Sequence, residues 1–127
     1  MEYVIDTERM LKEIMRVLKP GGILLFSVPF LCPEHDDNDS VRYTRTGWLA
    51  ILAKHFNEIS IVHFGGRYCA LFDFYFEKVR SVYSFYFKIA LFPFLSILKI
   101  VCLALDYKEH DARFPMGYIV TCKAKMT

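Results

Sequence analysis

The stretch ERMLKEIMRVLKPGGILLFSVPF, residues 8–30, decides the fold of this chain. Its first apolar residues recur every three or four positions, as on one buried face of a helix, at Leu11, Ile14, Met15 and Leu18. Asp6 or Thr7 is placed to cap that helix, and the KPGG turn, residues 19–22, ends it. The stretch therefore predicts a helix that turns sharply into the run that follows.

The run ILLFSVPF, residues 23–30, is apolar without polar alternation, which is typical of a strand covered on both faces in a parallel sheet. Further along, Thr44 or Thr46 can cap a second helix, and EISIVHF, residues 58–64, predicts a second strand closed by two glycines. The inner residues of the second helix are expected to be Trp48, Leu49, Leu52 and Phe56. Helix, strand, helix, strand indicates an α/β fold.

An aromatic segment of about fifty residues separates this part from the end of the chain. Its apolar residues keep helical spacing from Tyr68 to Ala90, Pro93 is expected to break the helix, and Phe94 to Leu105 predicts a second one. DYKEHDAR, residues 106–113, is then expected to be a charged linker, and residues 117–125 a final strand at or near an edge of the sheet. So long an insertion suggests a lid, an interface or a membrane dock.

Composition narrows the function classes. The 127 residues fit one domain, and their 54% hydrophobic content is high. The charges, +2 in sum, form no basic stripe, which argues against nucleic-acid binding. The four cysteines are too far apart for a zinc or redox pair and favour reduced thiols in a cytoplasmic protein, and the charged N-terminal residues do not resemble a signal peptide.

Residues 83–105 are long enough to span a bilayer, but Lys88, Pro93 and Lys99 interrupt them. The interruptions favour an interfacial or buried helix pair over a transmembrane helix.

The loop FLCPEHDDNDSVRYTRTGW, residues 30–48, gathers most of the candidate chemistry. It fails as a calcium loop, because the sixth position after Asp36 is Val41 and the twelfth is Gly47, and it offers zinc at most two local ligands. No metal is therefore expected. His35 could act as a general base oriented by Asp36 or Asp39, and Arg42 could bind a carboxylate or phosphate. The alternative is that Asp39 and Arg42 only hold the loop together.

The sequence up to residue 30 resembles the second half of a class I S-adenosylmethionine-dependent methyltransferase of the type 11 kind. The matching positions are Glu2, Glu13, Arg16, Val17, Leu18, Lys19, Pro20, Gly21 and Gly22, whereas Tyr3 replaces the usual histidine. The loop is similar to that of one subgroup at Pro33, His35, Asp39, Arg42, Thr44 and Gly47, and residues 114–125 resemble the last strand. The resemblance implies an α/β fold, namely the C-terminal part of a Rossmann-like seven-stranded methyltransferase sheet with an inserted aromatic helical segment.

The resemblance also implies a single partial domain over residues 1–127, with a sheet part at 1–66 and 114–127 and a helical insertion at 67–113. His35 is the candidate catalytic residue, and Asp39, Arg42, Tyr43 and Thr44 are candidates for binding substrate or structuring the loop. The family's cofactor, S-adenosylmethionine, binds in a first half with a glycine-rich turn and an acidic strand end, neither of which this chain contains, so no cofactor-binding residue is expected.

The function expected from the resemblance is methyl transfer to a small molecule, with this chain inactive alone. The alternative is a non-catalytic interaction or membrane-surface module, which would meet a membrane or a second copy through residues 68–105.

Overall fold

The structure is a computed structural model that describes residues 4–33, 40–82, 84–109 and 113–125. His35, Asp36 and Asp39 therefore lie outside the described residues. Contacts divide the chain into two units: the first takes in 4–30, 40–63 and 117–125 of the described residues, and the second takes in 31–33, 64–82, 84–109 and 113–116.

The first helix, α1, runs over Thr7–Val17, where the spacing of apolar residues predicts it. Asp6 is its cap, because the Asp6 side chain accepts a hydrogen bond from the backbone N–H of Arg9 at 2.9 Å. After the helix, Gly21 has a φ of +70°, a conformation that side-chain-bearing residues rarely adopt. This turn leads directly into the first strand, as predicted.

Three strands form the sheet of the first unit: β1 at Ile23–Pro29, β2 at Phe56–Phe64 and β3 at Gly117–Ala124. Their order is β1-β3-β2, and β3 pairs antiparallel with β1 in a register that runs from Ile23 opposite Lys123 to Pro29 opposite Gly117. The last strand, which was expected at or near an edge, lies between the two other described strands. Every second residue of β3, from Tyr118 to Ala124, is buried, and a strand with such a buried face is more stable between two neighbours than at an edge.

The expectation of a parallel sheet with β1 covered on both faces is wrong. Among the described residues the sheet has three antiparallel strands, and Ile23 and Leu25 of β1 are 67% and 66% exposed. Only one face of β1 is covered, but the side chains on its exposed face are apolar as well. The sequence of β1 therefore looks like that of a strand covered on both faces. A mixed α/β fold is thus present, while the seven strands of the family sheet stay a prediction.

The second helix, α2, spans Arg45–Leu52 with Thr44 as its cap. Phe56, expected on this helix, is instead the first residue of β2. The buried side chains of α1, α2 and one sheet face form a single core cluster: Leu11, Val28, Trp48, Leu52, Phe56, Ile61, Tyr118, Val120, Cys122 and Ala124. The helices therefore cover the sheet face that carries Val28 and Val120.

The second unit contains two helices, α3 at Arg67–Val82 and α4 at Phe85–Glu109. The predicted break at Pro93 is wrong, since Pro93 lies inside α4. Helix α4 begins after Ser84, whose carbonyl accepts the first helical hydrogen bond from the N–H of Lys88 at 3.1 Å. Serine is a favoured residue directly before a helix. A proline inside a helix removes one backbone hydrogen bond, and α4 tolerates this loss at Pro93.

Candidate functional site

Residues 40–48, the part of the loop that belongs to the first unit, are attached to that unit by their own side chains. Arg42 donates a hydrogen bond from Nη1 to the carbonyl oxygen of Phe30 at 2.8 Å. Phe30 directly follows β1, so this bond holds the returning loop against the end of that strand. A charged donor on a neutral carbonyl is a comparatively strong hydrogen bond.

Tyr43 and Thr44 connect the loop to the two helices. The Tyr43 hydroxyl donates to Oγ1 of Thr7 at 3.3 Å, and its ring meets the ring of Trp48 edge to face with centroids 5.0 Å apart. Thr44 accepts a hydrogen bond from the N–H of Gly47 at 3.1 Å, as an N-cap does. All three described candidates thus make contacts that structure the loop. Their binding of a substrate stays a prediction, as do the roles of His35 and Asp39.

The glycine pair after β2 is packed against the second unit's own side chains. A Cβ at Gly65, whose φ is +64°, would stand 2.6 Å from Cγ of Met116, and a Cβ at Gly66 would stand 2.5 Å from Oδ1 of Asp106. The space that these glycines leave is therefore filled by Met116 and Asp106.

Asp106 of α4 caps the start of α3. Its two carboxylate oxygens accept hydrogen bonds from the backbone N–H groups of Tyr68 at 3.1 Å and Cys69 at 2.9 Å. A helix N-terminus attracts anions, because its first N–H groups have no partner inside the helix. Here the protein supplies that anion itself, which removes α3 as a phosphate or carboxylate site for a ligand.

A second acidic residue extends this cluster. Glu109 forms an ion pair with Arg67 at 2.8 Å and accepts a hydrogen bond from the Tyr68 hydroxyl at 3.0 Å. The carboxylate raises the pKa of Tyr68, because it accepts from the protonated phenol and repels the phenolate. Sequence reasoning missed Asp106 and Glu109 by assigning them to a linker, although their spacing of three residues is the spacing of one helix face.

The thiols are poor candidates for nucleophilic chemistry. Burial raises the pKa of Cys122 to about 11, and burial together with the nearby Asp106 carboxylate raises the pKa of Cys69 to about 12. Cys32 donates a hydrogen bond to the carbonyl oxygen of Met116 at 3.2 Å. Within the described residues, no three His, Cys, Asp or Glu side chains are grouped so as to hold a metal ion.

The glycine pair after β2 and the Asp106 carboxylate beside it do not fit S-adenosylmethionine. Its binding needs backbone that a ligand can approach closely, and a free carboxylate for the ribose. At Gly65 and Gly66 the close approach is taken by Met116 and Asp106, and the Asp106 carboxylate is bonded to α3.

Comparison with known proteins gives one finding. The family model described as "Methyltransferase domain" matches residues 1–26, which are 26 of the 127 residues and include all of α1 and the start of β1. No curated protein and no solved structure matches the chain. This segment, which holds the first helix, the KPGG turn and the start of the first strand, is thus similar to a class I S-adenosylmethionine-dependent methyltransferase domain.

Proposed function

We propose that this chain is the C-terminal part of a methyltransferase that transfers a methyl group from S-adenosylmethionine to a small molecule. In this proposal the cofactor half comes from a polypeptide segment other than the described residues, and the chain alone is inactive. The family match over residues 1–26 supports the reaction class.

The observation that carries the proposal is the incomplete sheet. β1 pairs with β3 on one side, and among the described strands it has no neighbour on the other. Its outward side chains Ile23 and Leu25, with Ile119 of β3 beside them, form an exposed apolar face. An unpaired strand edge next to an apolar face invites another strand and a covering helix. A Rossmann-like sheet continued past β1 would supply both.

In the complete enzyme, the loop after β1 would face the methyl acceptor. The carboxyl ends of strands are where open α/β sheets place ligands, and Pro29 ends β1 just before this loop. His35 is the proposed general base, and Asp39 and Arg42 are proposed to position the acceptor. Tyr43 and Thr44 support them through α1 and α2, since they bond to Thr7 and Gly47. Positioning and exclusion of water would supply most of the catalysis.

The first test is isothermal titration of the chain with S-adenosylmethionine. We expect no submicromolar binding, because the close approaches at Gly65 and Gly66 are already filled. Submicromolar binding by the chain alone would show that the cofactor site is complete, and it would overturn the proposed division.

The second test asks whether the β1 face receives the missing half. Coding DNA upstream of the chain should encode a segment with a G-x-G-x-G turn, and the two polypeptides should associate when they are produced together. Ile23→Lys should abolish the association, whereas Ile100→Lys should leave it intact. The two isoleucines are matched in exposure, at 67% for Ile23 and 65% for Ile100. Equal effects of the two substitutions would contradict docking at β1.

A second candidate function is a non-catalytic interaction module. The observation in its favour is the number of large apolar side chains that α3 and α4 expose next to one another, since contiguous exposed apolar surface often marks an interaction site. A cytoplasmic location is proposed for both candidates. They differ in one measurement, because only the enzyme gains methyl-transfer activity when the cofactor half is added.

A further inference from the structure

We propose that α3 and α4 form a membrane-docking hairpin that lies in the interfacial layer of a lipid bilayer. The proposal does not depend on the reaction, since it rests only on residues of the second unit.

The first support is the distribution of apolar side chains on α4. None of its residues is buried, and its large apolar side chains are exposed all round the helix except along the half-buried stripe that packs against α3. The exposed ones are Phe85, Tyr86, Phe87, Ile89, Phe92, Phe94, Ile97, Leu98, Ile100, Val101, Leu103, Leu105 and Tyr107. A helix that docks on a protein needs one apolar stripe, whereas a helix that is apolar all round is typical of a lipid environment. The occupant that fits this surface is therefore lipid.

The second support is the treatment of charge within the hairpin. Lys99, in the middle of α4, bonds to Asp73 of α3 at 2.5 Å, and Asp106 is bonded to the first turn of α3. Charged groups near a bilayer are tolerated when they are paired with each other or with backbone. Two charges that would oppose burial in lipid thus face the partner helix and not the outside.

The ends of α4 carry residues typical of membrane interfaces. Tyr86 and Lys88 lie in its first turn, and Tyr107 and Lys108 lie in its last. Tyrosine prefers the headgroup level, and lysine can extend its ammonium group to water while its stem stays in lipid. Both ends of α4 are therefore suited to the headgroup level of the bilayer.

The hairpin geometry favours lying in the interface over crossing the bilayer. By length and composition alone, α4 could span a membrane. However, Arg67 pairs with Glu109, so the start of α3 and the end of α4 lie together, and a crossing by α4 would require α3 to cross as well. The 16 residues of α3 reach only about 24 Å, which is less than the roughly 30 Å thickness of the hydrocarbon core of a bilayer.

A groove between the helices offers room for part of a lipid. It has a volume of about 310 Å³ and is lined by Phe72, Phe76, Phe92, Leu95, Ser96, Lys99 and Ile100. Phe72 and Phe76 stack with centroids 5.8 Å apart, which gives the groove a flat aromatic wall. An acyl chain matches this apolar lining.

The test is flotation of the chain with vesicles of phosphatidylcholine, with and without phosphatidylglycerol. We expect the wild type to float, and the triple variant Phe94→Ser, Ile97→Ser, Val101→Ser to bind at least about tenfold more weakly, because three exposed apolar side chains are lost. The matched control replaces three exposed apolar residues of the first unit, Ile5, Val17 and Val62, by serine and should float like the wild type.

Two outcomes would overturn the proposal. One is a wild type that stays with the soluble fraction in both vesicle types. The other is a dimer in sedimentation without lipid that the triple variant breaks while flotation is unchanged, which would assign the surface to a second copy of the chain.

The orientation is tested with single tryptophans at Phe85, Phe92 and Leu103, which lie within about 20° of one another around α4, and with lipids brominated at two depths. An interfacial hairpin gives the same ratio of shallow to deep quenching at all three positions. A crossing helix gives the deepest value at Phe92 and would contradict the interfacial arrangement. Trp48 is buried in the first unit and provides the baseline in the wild type.

Discussion

At the scale of the residue, Asp106 is the polar side chain with the clearest structural task. It lies where the sequence indicates a charged linker, yet it accepts two backbone hydrogen bonds at the start of α3 and fills the space beside Gly66. Two separate parts of the second unit therefore depend on one carboxylate.

Replacing Asp106 should loosen the start of α3. Asp106→Ala leaves two backbone donors without their acceptors, which we expect to cost about 1–3 kcal/mol, and Asp106→Asn should cost less because one oxygen remains. Hydrogen exchange at the amides of Tyr68 and Cys69 measures the effect. Lys108→Ala, two residues away on the same helix, is the control, and equal exchange in all variants would contradict the capping role.

The buried thiols predict a loss of stability at alkaline pH. Unfolded cysteines ionise near a pKa of about 8.5, whereas in the fold the pKa of Cys122 is about 11 and that of Cys69 is about 12. Above about pH 9 the unfolded state therefore binds fewer protons than the folded state, and the free energy of unfolding falls as pH rises.

The slope should approach about 1.4 kcal/mol per pH unit for each thiol. Urea unfolding of reduced protein at pH 8, 9 and 10 measures it. Cys122→Ala should show a smaller slope than the wild type, since one of the two thiols is gone. An unchanged slope in that variant would show that Cys122 does not carry the effect.

At the scale of the element, the starts of α1 and α2 were predictable, whereas the start of α4 and the order of the strands were not. Asp6 and Thr44 are short polar side chains directly before an apolar periodic segment, and local hydrogen bonds decide such caps. The place of β3 depends on β1, which is nearly a hundred residues away in sequence.

The cap of α2 can be tested with two threonines that sequence alone leaves equivalent. Thr44 bonds to the N–H of Gly47, whereas Thr46 is an exposed residue inside the helix. Thr44→Ala should lower the free energy of unfolding by about 1 kcal/mol, and Thr46→Ala should change it little. Urea unfolding of both variants measures this, and the reverse order would contradict the assigned cap.

At the scale of the whole molecule, the apolar residues serve two different environments. In the first unit they form one core cluster, whereas α4 has no buried residue. The high hydrophobic content of the chain therefore does not correspond to a large core.

Two leucines test this difference. Leu52 is fully buried and Leu103 is 51% exposed. We expect Leu52→Ala to cost about 2–5 kcal/mol, because it removes buried contacts and leaves a cavity, and Leu103→Ala to stay within about 0.5 kcal/mol. Urea unfolding without lipid is the measurement. A large effect of Leu103→Ala there would show that protein already covers α4.

The candidate site was predictable only in part. Tyr43 and Thr44 stand out in sequence as polar residues beside a helix start, but their bonds to Thr7 and Gly47 follow from how the loop folds back. Asp106 was missed because its partners, the N–H groups of Tyr68 and Cys69, lie 38 and 37 residues earlier in the chain.

The sequence by itself determined the similarity of residues 1–26 to a methyltransferase domain, the first helix with its cap, and the strands as apolar runs, because these depend on residues within a few positions of one another. Only the tertiary structure decided that β3 lies between β1 and β2, that β1 keeps an exposed face, and that α4 continues through Pro93. These features depend on contacts between distant segments, and an apolar run looks the same in sequence whether protein or something else covers it.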